Sequence, residues 1–161
     1  MPADSGCVPV LEYTELDESA VAELAPVMRE AFDDDSRLHG RGEKGGPHGY
    51  ADGTFLRQWG IDTDSEAFVI RENGLAIGGL IVFRRPDSSN WLGNIFVAPS
   101  HQNRGVGRAA LAYVQDLFPA RIWRLETPRW ATRNHRFYER RGFVRIGLTE
   151  DSVIYEKVIG H

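Results

Sequence analysis

A strand, a polar loop and a helix that opens on glycines follow one another in the middle of the chain. The apolar run 91–98 leads into the loop 99–104, and Gly105 and Gly107 begin an amphipathic helix. Glycine lets the backbone approach a ligand closely, and the first amides of a helix have no partner within the helix. Together with the positive end of the helix dipole, these amides attract anions. The pattern predicts a site for a pyrophosphate.

Charge is divided unevenly along the chain. Residues 1–66 carry 15 acidic and 5 basic side chains, a net of −10, whereas residues 67–161 carry 8 and 14, a net of +6. Arg104 and Arg108 flank the two glycines and would add positive charge to an anion site. A basic C-terminal part suits a polyanionic ligand and an acidic N-terminal part suits a cation, and scattered surface charge is an equal alternative. The overall charge of −4, without a basic-aromatic run, argues against nucleic-acid binding.

Two segments resemble the signatures of one enzyme family. Residues 102–107 (QNRGVG) resemble the Q/R-x-x-G-x-G/A signature of the GNAT acetyltransferases, with a strand before it and a helix after it. Residues 137–143 (FYERRGF) look like the F-Y-E-R-x-G-F signature on the last main helix of that family. With the order of elements, the resemblance covers about residues 67–147. The alternative for the first segment is an ordinary glycine-containing turn into a helix.

The resemblance implies acetyl transfer from acetyl-coenzyme A to a primary amine of a small molecule or peptide, by direct attack. In the family, the amides of the glycine loop hold the pyrophosphate, and the preceding strand pairs with the pantetheine arm. The cofactor-binding residues implied in this way are Ile95, Phe96, Val97, Gln102, Asn103, Arg104, Gly105, Val106, Gly107, Arg108 and Asn134. Tyr138 is implied as the acid for the departing thiolate, because a phenol of pKa about 10 and a thiol of about 8.5 exchange protons readily within hydrogen-bond reach. Its alternative is a core-facing aromatic with a satisfied hydroxyl.

The sequence departs from the family pattern in two places. Position 131 is Ala where members commonly have Asn, so Asn134, the nearest Asn, either contacts coenzyme A or caps the helix. Some members also place a catalytic Glu on the strand before the loop, and residues 91–98 contain no carboxylate.

A general base is needed because an attacking amine must be neutral. An amine of pKa about 10.4 is neutral in about one molecule in 2,500 at pH 7, so deprotonation costs about 4.6 kcal/mol. Glu126, at the end of a predicted strand, is the best candidate, and its alternative is a surface carboxylate paired with Arg124 or Arg129. His39, His48 and the acidic run 33–35 are further candidates in a predicted loop, each with a solvent-facing alternative.

The periodicity predicts the order β-α-α-β-β-β-α-β-α-β-β. This order indicates an α/β fold with a mixed, mostly antiparallel central sheet flanked by helices, and a single domain over residues 1–161. Strands are predicted at 8–13, 67–71, 75–84, 91–97, 121–127, 143–147 and 153–158, and helices from Asp17 or Ser19 to Phe32, at 54–59, 105–118 and 132–141. Asn73-Gly74 predicts a hairpin, residues 87–90 predict a turn, and Gly142 ends the last helix.

Two other functions compete with the enzyme. A non-catalytic acyl-coenzyme A sensor would keep the glycine loop without the chemistry. A dinucleotide-binding protein is suggested because residues 105–110 also fit G-x-G-x-x-A and Glu126 ends a strand 19 residues after Gly107. Against it are the polar loop before Gly105, the hairpin upstream and the 35 residues left after Glu126.

The remaining expectations concern surroundings and partners. The N-terminus lacks the features of a signal peptide, and the apolar stretches are shorter than the roughly 20 residues that span a bilayer, so a cytoplasmic location without membrane contact is expected. A lone Cys7 excludes an internal disulfide, and the five scattered His indicate no metal site. Because members of the family often pair, the resemblance leaves a homodimer open.

Overall fold

The computed structural model describes residues 10–159, so Cys7 and the first two residues of the predicted strand 8–13 lie outside the described part. Within it the chain forms seven strands, four α-helices and a 3₁₀ turn at Pro99–His101, in the predicted order. The elements are β1 (Leu11–Glu15), α1 (Glu18–Leu38), α2 (Thr54–Gly60), β2 (Glu66–Glu72), β3 (Leu75–Arg84), β4 (Ser89–Val97), α3 (Val106–Leu117), β5 (Ile122–Pro128), α4 (Thr132–Arg140), β6 (Val144–Leu148) and β7 (Ser152–Val158).

The strands form one sheet in the order β1-β2-β3-β4-β5-β7-β6. Every neighbouring pair is antiparallel except β4 and β5, which are parallel. The predicted hairpin joins β2 and β3, with positive φ at Asn73 (53°) and Gly74 (86°), as a tight turn between twisted strands requires. The mixed, mostly antiparallel sheet flanked by helices is therefore confirmed.

Two apolar cores cover the two faces of this sheet. One core joins the sheet to α3 and α4, and includes Leu92, Val106, Leu111, Leu125 and Tyr138. The other joins it to α1 and α2, and includes Leu24, Met28, Leu56, Ile81 and Phe96. Neighbouring residues of a strand point to opposite faces, so membership of a core shows which face each strand residue serves.

The sheet opens between β4 and β5. Their parallel pairing runs from Ser89–Ile122 to Leu92–Leu125 and stops there, although both strands continue. At this point β4 also carries an extra residue against β3, because Ile81 pairs with Asn94 and Val82 with Leu92. The extra residue is Gly93, where a Cβ would clash with the Phe83 ring. A bulge and a split thus coincide, which is typical of a ligand site.

Helix α1 differs from its prediction. It begins as expected, since the Asp17 side chain accepts a hydrogen bond from the amide of Ala20 at 2.9 Å. It continues to Leu38, so the prediction that residues 33–35 lie in a loop is wrong. Side-chain contacts to the loop that follows accompany these last turns, since Asp33 accepts hydrogen bonds from the Gly45 amide and the Tyr50 hydroxyl.

The predicted turn at 87–90 is shorter in the structure. Strand β4 already begins at Ser89, and Asn90 is buried within it. The Asn90 side-chain amide donates to the carbonyl oxygen of Phe118 at 2.9 Å, which satisfies a polar group that a turn would have left in solvent.

Candidate active site

A cavity of about 630 Å³ lies at the split between β4 and β5. It is lined by the far halves of both strands, the loop before α3, the start of α3, one side of α4 and the end of α1. The predicted site residues that line it are Ile95, Phe96, Val97, Gln102, Asn103, Gly105, Val106, Gly107, Arg108, Glu126, Asn134 and Tyr138. Residues that lie 43 positions apart in the sequence, Ile95 and Tyr138, thus face one space.

The glycine loop leaves amides free at the start of α3. Gly105 is the N-cap, with a φ of 83° that favours glycine, and its carbonyl accepts the first helical bond from Ala109. The amides of Val106, Gly107 and Arg108 precede that bond and have no acceptor within the helix. At Gly107 a Cβ would lie at an ordinary contact distance, 3.4 Å, from the Phe137 ring, so α3 and α4 pack against each other at this point. The helix start can hold an anion.

Gln102 connects three parts of the cavity wall. Its side-chain amide donates to the carbonyl oxygen of Val97 at 2.9 Å, and its side-chain oxygen accepts from Arg133 at 3.0 Å. The loop before α3 is thereby joined to the end of β4 on one side and to α4 on the other.

The side chain of Arg104 turns toward β2 in the structure. Its guanidinium pairs with Glu72 at 2.9 Å, and His101 lies 3.4 Å from the same carboxylate. Arg104 is also absent from the cavity lining. A carboxylate of β2 thus offsets its charge in this structure, and the role of Arg104 in holding a ligand stays a prediction.

Helix α4 and the residue that follows it bring several arginines to the cavity. Arg133, Arg136, Arg140 and Arg141 all line the cavity together with Arg108 of α3. Burial, and then the nearby charges of Arg108 and Arg140, lower the pKa of Arg141 below its ordinary value. Such crowding of like charges is stabilised by a polyanion. Arg108 was predicted from the sequence, whereas the other four were missed, although four arginines within residues 133–141 were an available signal.

Tyr138 is buried on α4 at the wall of the cavity, with 7% of its surface exposed. Its ring packs edge-on against Phe143, with centroids 5.8 Å apart. Burial raises the pKa of Tyr138 well above its usual range, so the phenol stays protonated at neutral pH. Among residues 10–159, no hydrogen bond occupies its hydroxyl.

The end of α4 fixes this tyrosine in place. The carbonyl of Tyr138 accepts from the amide of Phe143 at 3.0 Å, and the carbonyl of Glu139 accepts from Gly142 at 3.1 Å. These are the two bonds of a Schellman motif, with Gly142 at a φ of 96°. Gly142 therefore ends the helix as predicted.

Glu126 lies exposed on β5 and lines the cavity. Neither of the two arginines predicted to pair with Glu126 does so. Arg124 pairs with Glu156 at 3.0 Å, and Arg129 donates to the carbonyl of Glu150 at 3.4 Å. Within the described chain, Glu126 has no ion pair and remains available to a ligand.

Asn134 does not cap α4. The N-cap is Ala131, and Asn134 lies within the helix, where its side-chain amide donates to the Thr127 hydroxyl at 3.1 Å. The next residue, His135, lies with Nε2 2.9 Å from the carbonyl oxygen of Pro128; a carbonyl only accepts, so Nε2 carries the proton. Both contacts hold α4 to the end of β5. Asn134 keeps its place in the cavity lining.

The carboxylates of the acidic run 33–35 make different contacts in the structure. Asp33 anchors the following loop, because its carboxylate accepts from the Tyr50 hydroxyl at 2.5 Å and from the amide of Gly45 at 3.0 Å. Asp35 lines the cavity and lies 3.3 Å from His39. Burial raises the pKa of Asp35, and the charges of His39 and Arg133 oppose that rise. His48 is exposed and absent from the lining.

The comparison with protein families identifies the class. The model described as "Acetyltransferase (GNAT) family" matches residues 26–143. Since that match covers most of the chain, the chain belongs to the GNAT acetyltransferase family. A search of curated proteins found no match.

Solved structures show the same fold. An N-acetyltransferase, PaiA, from Thermoplasma acidophilum, determined with coenzyme A, superimposes with a TM-score of 0.75 at 15% identity, over 92% of this chain and 99% of that one. An acetyltransferase from Thermus thermophilus gives 0.77 at 18%, over 94% and 99%. The ribosomal-protein-S18-alanine N-acetyltransferase from Escherichia coli gives 0.73 at 20%, over 94% and 96%.

The fold also shows that the alternative prediction, a dinucleotide-binding protein, is wrong. A dinucleotide-binding sheet is mostly parallel, whereas β4 and β5 are the single parallel pair of the sheet formed by residues 10–159.

Within residues 10–159, no helix is both long and apolar enough to cross a membrane. Nor do the described side chains include a group of three or more His, Cys, Asp or Glu placed for a metal ion.

Proposed function

We propose that the protein transfers an acetyl group from acetyl-coenzyme A to a primary amine of a small molecule or peptide. The observation that carries the proposal is the single cavity at the β4–β5 split, which joins the free amides of α3 to Tyr138 and Glu126. In this proposal the amine attacks the thioester directly, Glu126 is the general base and Tyr138 the general acid.

The arginine side of the cavity suits the phosphates of coenzyme A. The amides of Val106, Gly107 and Arg108 would hold the pyrophosphate, and Arg140 and Arg141 would neutralise phosphate charge near it. The Thermoplasma acidophilum relative binds coenzyme A in its structure, which supports the same ligand here.

The free edge of β4 suits the pantetheine arm. Beyond Leu92, the β4 backbone no longer pairs with β5, so the backbone groups of residues 95–97 on that edge, apart from the Val97 carbonyl that Gln102 occupies, are open to a ligand. Pantetheine contains two amide groups and can bond to such an edge as an added strand would. The thioester would then lie in the split, between the two faces of the sheet.

The two faces of the split separate the two proton transfers. Tyr138 belongs to the α3/α4 side, whereas Glu126 follows Leu125, a residue of that side, and so points to the α1 side. An amine on the α1 side would form its bond to the carbonyl carbon while the carbon–sulfur bond breaks toward Tyr138. Glu126, directly or through water, takes a proton from the amine, and the thiolate takes the phenolic proton of Tyr138.

The environment of Tyr138 favours the acid role. Its pKa is raised by burial, so it is protonated at every pH at which the enzyme would work. A raised pKa also makes the phenol a weaker acid, and the same burial would raise the basicity of a thiolate formed beside it, which opposes that effect.

Thermal unfolding tests cofactor binding first. At 100 times the dissociation constant, acetyl-coenzyme A should stabilise the fold by about 2.7 kcal/mol, a rise in Tm of roughly 5–10 °C for a domain of this size. NAD serves as the control and should cause no rise. A rise with acetyl-coenzyme A but no thiol release with any amine would favour the non-catalytic sensor. No rise with acetyl-coenzyme A would contradict the proposal.

A further inference from the structure

The end of helix α1 contacts the segment between β5 and α4. His39 follows the last residue of α1, and its ring lies edge-on to the ring of Trp130, with centroids 5.3 Å apart. The guanidinium carbon of Arg41 lies 5.2 Å from the centroid of the same Trp130 ring. We call these three side chains, His39, Arg41 and Trp130, the Trp130 clasp.

The backbone after α1 turns Arg41 toward Trp130. Arg41 lies between Gly40 and Gly42, which have φ values of 68° and 108°. Such values favour glycine and let the chain reverse its direction at the end of the helix. The Arg41 amide also donates to the carbonyl of Ser36 at 2.7 Å. The α1 side of the clasp is therefore held close to the helix end.

The segment that carries Trp130 is anchored on its other side. The amide of Arg129 donates to the carbonyl of Asp151 at 2.9 Å, and its guanidinium donates to the carbonyl of Glu150 at 3.4 Å. The turn between β6 and β7 thus supports the segment. Trp130 offers a fixed surface on which the end of α1 rests.

The clasp joins two walls of the cavity from outside. Asp35, one helical turn before His39, lines the cavity from α1. Pro128, two residues before Trp130, lines it from the end of β5. His39 and Trp130 are themselves absent from the lining. The clasp therefore acts on the shape of the cavity and not by contact with a ligand inside it.

Apolar packing does not fix the distance between these two walls. Among residues 10–159, the core under α1 includes residues of α1, α2, β2, β3 and β4, and none of β5 or α4. The charges of Asp35 and Arg133 attract each other across the split, but such an attraction permits a range of separations. The ring contact of the clasp is shorter in range, so it determines how far α1 lies from β5.

We propose that Trp130 is a positioning residue that sets the width of the cavity between α1 and β5, and thereby the bulk of the amine that reaches Glu126. Its ring holds the end of α1, with Phe32 and Asp35 in the cavity wall, at a fixed distance from β5. This inference rests on the proposed function, because it concerns the amine side of the same reaction.

Amines of increasing bulk test this role. The panel is n-butylamine, phenethylamine, tryptamine and a tripeptide with a free N-terminus, and thiol release from acetyl-coenzyme A gives kcat/KM for each. Trp130→Ala should raise kcat/KM for the bulkiest amine relative to the smallest by about tenfold, since one methylene of fit in a pocket is worth about that factor or more. KM for acetyl-coenzyme A should stay unchanged, because the clasp lies on the α1 side.

Two substitutions serve as matched controls. Trp130→Phe keeps a ring against His39 and should keep the wild-type ratio. Trp59, on α2, is 37% exposed, has its ring centroid 6.2 Å from that of Phe83 and is absent from the cavity lining. Trp59→Ala therefore removes an equal ring elsewhere and should leave the ratio unchanged. An equal change in Trp59→Ala and Trp130→Ala would overturn the inference.

His39→Ala approaches the same contact from α1. It should shift the ratio in the same direction as Trp130→Ala, and it provides a second measurement if the half-buried Trp130 cannot be removed without unfolding. The double variant should shift the ratio no further than Trp130→Ala alone, because the effects of residues in contact are not additive. Fully additive effects would contradict a shared role.

The wild-type protein separates this inference from the proposed function. If it acetylates amines of the panel and Trp130→Ala keeps the wild-type ratio, the role of Trp130 alone is contradicted. If it releases no thiol with any amine although acetyl-coenzyme A raises its Tm, the proposed function is contradicted, and this inference with it.

Discussion

Gln102 accepts a hydrogen bond from Arg133 at 3.0 Å, and so joins the loop before α3 to the first turn of α4. The other end of the same side-chain amide donates to Val97 on β4. This one side chain therefore helps to fix the loop before α3 relative to the wall that carries Tyr138.

Gln102→Ala should weaken coenzyme A binding about tenfold. It removes two hydrogen bonds, each worth about 1 kcal/mol, and frees the loop that presents the α3 amides. Isothermal titration measures the dissociation constant. Gln58→Ala, an exposed glutamine on α2 outside the cavity lining, is the control and should bind normally. Unchanged binding by Gln102→Ala would contradict the supporting role.

Gly105→Ala should lose both stability and coenzyme A binding. Alanine at a φ of 83° costs about 1–2 kcal/mol, and relaxation of that strain moves the first amides of α3. Gly74→Ala provides a matched control, since Gly74 has a φ of 86° and, like Gly105, no atom within 4 Å of the position that a Cβ would take. Both variants should show a similar fall in Tm, and only Gly105→Ala should bind coenzyme A more weakly. Equal binding by the two variants would place the ligand elsewhere.

Tyr138→Phe should lower kcat by about 10²-fold or more, the usual contribution of a general acid, with little change in KM for acetyl-coenzyme A. The raised pKa of Tyr138 predicts no alkaline loss of activity from its ionisation up to about pH 10, because the phenol remains protonated there. Steady-state rates across pH check both points. Tyr113→Phe is the control and should retain full kcat, because the Tyr113 ring stacks on Tyr13 outside the cavity lining. Unchanged turnover by Tyr138→Phe at every pH would exclude the acid role.

Arg108→Gln should weaken coenzyme A binding while leaving the free protein equally or more stable. The substitution removes one of the charges that lower the pKa of Arg141, so it relieves repulsion in the absence of a polyanion. The affinity should also depend less on salt than in the wild-type protein. Arg85→Gln, on the exposed β3–β4 turn, serves as the control. A variant that binds normally but unfolds at lower temperature would indicate a structural role instead.

Local patterns were sufficient to predict much of the fold. The hairpin at Asn73-Gly74, the glycine start of α3 and the glycine end of α4 each depend on backbone preferences that a few neighbouring residues determine. The end of α1 could not be predicted in this way. Asp33 is held by Gly45 and Tyr50, which lie 12 and 17 residues further along, and those contacts exist only in the folded chain.

The candidate site was predictable where it follows a family signature and not where it depends on pairing between distant elements. The neutralisation of Arg104 requires Glu72, which is 32 residues away. The direction of Asn94 depends on the bulge at Gly93, which shifts the alternation of β4 by one residue. Neither feature has a local signal in the sequence.

Mass-spectrometric detection of acetylated product from acetyl-coenzyme A and a panel of primary amines tests the proposed acetyl transfer most directly. We expect an N-acetylated amine and an equal amount of free coenzyme A, with Tyr138→Phe reducing both. Binding of acetyl-coenzyme A without any acetylated amine, across amines that include phenethylamine and peptide N-termini, would contradict it.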